Sequence, residues 1–401
     1  MTTARDKTMS EDSGPRCRVL VVAVGGGAGR VLEHVLRDWD DPPSVALVNT
    51  DARALEDSEI DLKVWIGRTV SKGMGTGGDA ELGRLAANED LDALRSLVAG
   101  HDLLILLACL GGGTATGSAP VLARLARESG LLTLVYVTMP FAFEGARRLE
   151  QAQEGLAGLK QAADAVVCLP NERLHTLLAS DTPLPQAFAF VDRMMAAGIR
   201  GLWTLLARNN MLNLDFSDLQ TLVENSGNEC CFGYGEGTGP NKTEEALQSL
   251  LDGPMLEKGR VIANAGAMIL SVTAGPDLAL SELEQVHRRF KETARAGARI
   301  AMGAAVLDEW TGRLALTVLA AEHWIPGPRG DVDEPIVGQD HTEGRDAEAP
   351  ERGRRTRKGR EHPRLRLESD RGRFKDVSPT IYDGADLDIP TYQRQDVRIP
   401  T

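Results

Sequence analysis

The sequence predicts an α/β fold: a doubly wound parallel sheet, then one long helix, then a smaller α+β domain. Three observations carry this. From Cys17 to Pro170 short, continuous apolar runs alternate with helical stretches, the pattern of a parallel sheet covered on both faces. Residues 185–208 then form an apolar-striped stretch with no strand signal on either side for many residues. Beyond it, strand-like and helical runs mix without the regular crossover rhythm.

The first domain, residues 17–183, holds the strands "CRVLVVAV", "SVALVNTD", "LKVWIG", "HDLLILLA", "LLTLVYVTM" and "AVVCLP". Helical crossovers are expected near 29–38, 80–97, 119–128 and 145–163. Residues 184–208 form the central helix. In the second domain, 209–322, "MLNLDFSDLQTLVENSG" reads as a loop entering a helix. It is followed by strand "CCFGYGEG", helix "TEEALQSLL", strand "GAMILSVTAG", helix "SELEQVHRRFKETA" and strands "ARIAMGAAVLDE" and "RLALTVLAAE". Residues 323–380 are dense in charge, Pro and Gly and almost free of aromatics, so they are expected to be a disordered linker, as is the extension 1–16. The last stretch, 381–401, regains Ile, Tyr, Leu and Pro and reads as a docking peptide.

Composition narrows the function. A formal net charge of −13 argues against nonspecific nucleic-acid binding by the body, so a polyanionic ligand would have to be held locally. No window reaches the ~18 apolar residues of a membrane span, and the N-terminus lacks a secretory core, which gives a cytoplasmic expectation. The five cysteines show no CxxC pair and the seven histidines no ligand spacing, so no protein-built metal site is expected.

Two glycine clusters decide the chemistry. "VGGGAG", 24–29, follows the first strand, and "CLGGGTATGSAP", 109–120, follows the fourth. In a sheet of order 3-2-1-4-5-6 those strands are neighbours at the topological switch, so both loops line one crevice. Bare backbone there lets N–H groups approach phosphate, and a helix N-terminus adds positive potential. A third loop, "KGMGTGGDAELG", could close over a terminal phosphate. Three loops suggest a triphosphate, and no GxxxxGK[ST] occurs, so this is not a P-loop. A Rossmann-type oxidoreductase is the competing reading of one cluster alone; the paired clusters and the lack of an acid/base constellation count against it.

These residues resemble the FtsZ family of bacterial tubulin-like cell-division GTPases. "GGGTATGSAP" is similar to its GGGTGTG signature, and "NTDARAL", "GMGTGGDAELGR", "MPFAFEGARRLEQAQEGL", "LPNERL", "NLDFSDLQTLV" and the terminal "DLDIPTYQRQ" follow in the family's order. The resemblance implies binding of GTP and GDP with Mg²⁺, held mainly by nucleotide and water, and K⁺ as an accompanying ion. It assigns phosphate to Gly25, Gly26 and Gly27 and to Gly111, Gly112, Gly113, Thr114, Thr116 and Gly117. Asn49 and Asp51 belong to the second loop, and Gly75, Thr76 and Gly77 approach the γ-phosphate. Glu144 and Arg148 match residues contacting ribose and phosphate, while Asn171 and Asp192 match base-contacting positions. An Asp accepting from the guanine N1–H and 2-amino group distinguishes GTP from ATP. The stacking aromatic is either Phe188 or Phe190.

The resemblance also places Asn213, Asp215 and Asp218 in a loop that enters a neighbouring subunit's site, the two Asp orienting water. Read on their own, the same residues are an ordinary helix N-cap and first turn, and both roles are expected together. The implied function is a GTP-dependent head-to-tail homopolymer that acts in cell division at the inner face of the membrane. Membrane tethers and regulators would bind the tail at 386–394, through Asp386, Ile389, Pro390 and Tyr392 to Arg394. Several positions depart from the family. Ala28 and Arg30 replace Gly and Asn, Cys109 and Ala115 replace Gly, and Val191 precedes Asp192. A Cβ at 109 or 115 is expected to strain a left-handed backbone. The alternative reading is therefore a divergent paralogue that binds nucleotide and co-assembles with another FtsZ, hydrolysing little itself.

Overall fold

The computed structural model describes residues 17–37, 39, 42–172, 181–207, 211–212, 214–322, 381–382 and 385–386. The extension 1–16, the linker 323–380 and most of the tail peptide lie outside the described residues. The chain divides into two units, Met1–Val332 and Asp333–Thr401.

In the first unit the order is β1 (Val19–Val24), α1 (Gly25–Leu36), β2 (Ser44–Asn49), α2 (Ala52–Glu56), β3 (Leu62–Trp65), α3 (Arg68–Ser71), α4 (Ala80–Glu89) and α5 (Leu91–Val98). Then come β4 (Leu103–Cys109), α6 (Gly113–Glu128), β5 (Leu132–Met139), α7 (Ala146–Ala162), β6 (Ala165–Pro170) and the long α8 (Leu184–Ala207). After it follow α9 (Phe216–Glu224), β7 (Asn228–Thr238), α10 (Lys242–Leu251), α11 (Arg260–Asn264), β8 (Ala267–Ala274), α12 (Leu280–Thr293), β9 (Arg299–Val306) and β10 (Arg313–Ala321). The described part of the second unit is one antiparallel pair, β11 (Ile381–Tyr382) with β12 (Ala385–Asp386).

The sheet order is β3-β2-β1-β4-β5-β6-β7-β10-β8-β9. Its first six strands are parallel in the anticipated order. The sheet then continues into the second half, because β7 pairs with β6 over Asn228–Cys230 and with β10 beyond. Continuous apolar runs are explained by burial on both faces. In β4, Leu103, Ile105 and Leu107 enter one core and Leu104 and Leu106 the other, all fully buried. Side chains alternate across a strand, so each helix layer receives its own apolar set.

Helix α8 is the spine expected from its stripe. Met195, Ile199, Leu202 and Leu205 point into the core shared with the parallel strands. Gly198 and Gly201 let it lie close to the second half: a Cβ at Gly198 would stand 2.8 Å from the Phe232 ring and one at Gly201 2.5 Å from Thr317 Oγ1.

Several boundaries differ from the sequence reading. The two cluster helices begin at Gly25 and Gly113, several residues before 29 and 119. Glycines that read as loop are the first helical turn, with little side chain between their amides and the crevice. The stretch 80–97 is two helices meeting at Asp90. The short α2, α3 and α11 carry too few residues for a periodicity signal.

Candidate nucleotide site

Where β1, β4 and β5 end, a cleft of about 730 Å³ opens between the N-termini of α1 and α6 and the start of α8. Neither cap residue of the two helices, Val24 or Gly112, makes a side-chain capping bond. The amides of both first turns are therefore free of side-chain caps, the arrangement that holds anions. Gly25 turns with φ +82°, which only glycine adopts without strain.

Of the expected phosphate glycines, Gly25, Gly26, Gly27, Gly112 and Gly113 line the cleft, as do Thr114 and Thr76. A Cβ on Gly112 would meet nothing within 4 Å, so open space lies before it. The other signature residues act behind the cleft. Thr116 Oγ1 accepts the Gly111 N–H at 2.9 Å, bracing the loop from within. Gly117 brings α6 onto α4, since a Cβ there would overlap the Ala80 carbonyl oxygen. Gly75 and Gly77 have positive φ and shape the third loop without lining the cleft.

The second loop is similarly internal. Asn49 Oδ1 accepts the N–H groups of Thr50 and Asp51 at 2.8 and 3.3 Å. Asp51 caps α2, accepting from Arg53 and Ala54. Thr50, which the sequence reading passed over, donates or accepts a 2.6 Å bond with Thr114 Oγ1, and Thr76 Oγ1 stands 3.4 Å from the same atom. Three hydroxyls from three loops thus meet at one point. The signal was available in "VNTDA", where a Thr follows the asparagine.

Beside the signature loop, Glu144 and Arg148 line the wall as an ion pair at 2.8 Å, with Arg148 Nε 3.4 Å from the Gly111 carbonyl oxygen. Glu144 also accepts the Phe141 N–H, which fixes its carboxylate. Asn171 is buried and its Oδ1 has no partner; Asn49 Nδ2 is likewise buried and unpaired. An orphaned buried amide is costly unless a ligand completes it. Asp192 is half-buried on the same wall, and burial pushes its carboxyl above the usual range against the opposing charges of His34, Arg30 and Arg193. Phe188 lines the cleft and meets Phe141 edge-on at 5.6 Å, while Phe190 packs against the core. Helical rotation therefore puts Phe188, and not Phe190, on the cleft.

The expected strain is corrected. Neither Cys109 nor Ala115 has a positive φ: Cys109 closes β4 and Ala115 sits inside α6. Both positions are ordinary strand and helix backbone, which any residue adopts. Cys109 instead abuts Gly27, where a Cβ would stand 3.2 Å from its Sγ. Burial raises its thiol pKa, so it stays protonated. Arg30 and Val191 also line the cleft.

Asp215 and Asp218 do not. Asp215 is the N-cap residue of α9, yet its side chain makes no capping bond, so only the positional half of the capping expectation holds. Asp218 lies in the first turn and pairs with Arg299 at 3.4 Å. Asn213 lies outside the described residues. Among the described residues no cluster of three or more His, Cys, Asp or Glu is arranged to hold a metal, and no helix is long and apolar enough to cross a membrane.

Residues 18–179 match the GTPase domain of the Tubulin/FtsZ family, and 229–323 match the C-terminal domain of the FtsZ family. Cell division protein FtsZ of Pseudomonas aeruginosa is 34% identical over 324 residues, 81% of this chain and 80% of that one. The FtsZ of Azotobacter vinelandii is 33% identical over 393 residues, covering 96% and 98%. Among solved structures, the empty FtsZ dimer of M. jannaschii superposes with a TM-score of 0.71 at 30% identity, over 76% of this chain and 88% of that one. CetZ2 from Haloferax volcanii, a GTPγS-bound protofilament, superposes with 0.61 at 25% identity, over 76% and 92%.

Proposed function

This chain belongs to the FtsZ family of tubulin-like cell-division GTPases, and from that premise we propose that it assembles head to tail and hydrolyses GTP between subunits. The observation that supports this best is a separation. The cleft with its open amides holds two acidic residues, Glu144, already paired with Arg148, and Asp192 on α8. The free carboxylate of Asp215 and the neighbouring Asp218 belong to the other half of the chain, at the entrance of α9. A cleft that cradles phosphate beside a carboxylate already paired with arginine, and a carboxylate pair without a cradle, are complementary halves. A contact of that kind repeats without closing and gives filaments.

On this reading the amides of Gly25 to Gly27 and Gly112 to Gly113 hold the phosphates, and Thr114 stands nearby with Thr76. Asn171 Oδ1 and Asp192 face the donor edge of guanine, and Phe188 stacks on it. Mg²⁺, held mainly by nucleotide and water, would supply charge neutralisation at the phosphates. Phosphoryl transfer needs positioning and charge stabilisation more than covalent chemistry, so these parts suffice. The tail at 386–394 recruits division partners, and the protein works at the division site.

GTP turnover per subunit, measured against protein concentration in Mg²⁺ and K⁺ buffer, tests the reading. A rate near zero below a threshold and rising above it is expected. A rate independent of concentration would sink the shared site. The divergent-paralogue reading is supported by Arg30, Cys109, Ala115 and Val191, all on the cleft wall. It predicts negligible turnover at every concentration, with nucleotide binding intact and co-pelleting with another FtsZ.

A further inference from the structure

The loop that carries the carboxylate pair is tied to one strand by two separate means. Leu212 N–H donates to the Ala304 carbonyl at 3.3 Å, and Ala304 N–H donates back to Leu212 at 3.1 Å, an isolated antiparallel bridge onto β9. Gly303 permits this approach, since a Cβ there would stand 3.3 Å from the Leu212 carbonyl oxygen. The first residue of the same strand is Arg299, whose Nη2 lies 3.4 Å from Asp218 Oδ1. The two side chains are 50% and 30% exposed, and they share the wall of a shallow groove with Thr221 and Leu222. Asp215, three residues earlier, is exposed and has no capping bond.

β9 therefore anchors the loop's backbone and supplies a cation to one of its two carboxylates. Such a loop brought against a triphosphate meets like charge, which disfavours close approach unless a cation offsets it. A carboxylate held by a guanidinium also has fewer orientations available, and reactive geometry is sensitive to small misplacement. We propose that Arg299 is a positioning residue for GTP hydrolysis: it orients Asp218 and balances the acidic loop's charge as the loop enters the site of a second copy of this chain. The inference rests on the shared-site reading above. It also gives the two carboxylates different surroundings: Asp218 is held and charge-balanced, while Asp215 is free to contact water.

The test uses the full-length protein with Arg299→Ala, Arg299→Lys, Asp218→Asn and the double variant Arg299→Ala/Asp218→Asn. Turnover is normalised to pelleted polymer, and monomer affinity is read with a fluorescent GTP analogue. Arg299→Ala should lower turnover per assembled subunit about tenfold with nucleotide affinity unchanged. Arg299→Lys should recover most of it. The double variant should be no slower than Asp218→Asn alone, because each change removes the same interaction. Turnover in Arg299→Ala within about twofold of the unaltered protein, or two losses that multiply in the double variant, overturns the role. If Asp218→Asn loses turnover and Arg299→Ala does not, this inference alone fails. If Asp218→Asn keeps full turnover, or the unaltered protein shows none at any concentration, the shared-site reading fails with it.

Discussion

Thr50 Oγ1 and Thr114 Oγ1 lie 2.6 Å apart, a bond that joins the end of β2 to the first turn of α6 across the end of β1. The Thr114 hydroxyl is thereby oriented before any ligand arrives. Replacing Thr50 by Val keeps the shape and deletes the bond. The expected result is a loss of about 1 kcal/mol in stability and a several-fold weaker affinity for GTP. Thermal melts with and without nucleotide check it, and an unchanged ligand-induced shift would refute the orienting role.

Glycines of one motif should separate into two classes. A Cβ at Gly117 would overlap backbone of α4, whereas one at Gly112 would enter open space. Gly117→Ala should cost roughly 1–3 kcal/mol through overpacking. Gly112→Ala should change the melting temperature little and weaken nucleotide binding instead. Equal melting temperatures for the two variants would contradict the packing described.

If Asp192 contacts guanine as proposed, GTP affinity should depend on pH. Burial raises its carboxyl above the usual range. A raised folded value means the folded state holds the proton more tightly. Its contribution to stability is therefore present below the unfolded value and lost as pH rises through the folded one. Recognition of guanine donors needs the ionised form, so GTP affinity should rise over the same window in which unliganded stability falls. Asp192→Asn should abolish both trends. It should also weaken GTP by about tenfold or more and favour xanthosine triphosphate, whose ring offers an acceptor where guanine has an amine. Titration calorimetry across pH, with melts in parallel, reads both arms.

Restoring glycine at 109 and 115 should not relieve strain, because neither residue has positive φ. Ala115→Gly, inside α6, should destabilise by about 1 kcal/mol. Cys109→Gly should do the same in β4 and remove the Sγ packed at Gly27. Turnover rising more than about twofold in the pair would show that bulk, not backbone strain, limits the site.

The sequence by itself determined the layering and the place of the cleft. Strand runs apolar on both faces, crossover lengths and two glycine clusters after the first and fourth strands follow from local chemistry, and local chemistry is written in order along the chain. Where the glycine helices begin was less legible, since the "GGG" at 25–27 reads as loop until tertiary packing decides that it opens a helix. Only the tertiary structure decided which of Phe188 and Phe190 faces the cleft, because that depends on how α8 is rotated by its contacts. It alone showed that Thr116 and Gly117 brace the signature loop from behind while Thr114 lines the cleft. It alone brought Arg299 to Asp218, 81 residues away in sequence. Such pairings arise when distant strands meet in one sheet, and no periodicity in either segment encodes its partner.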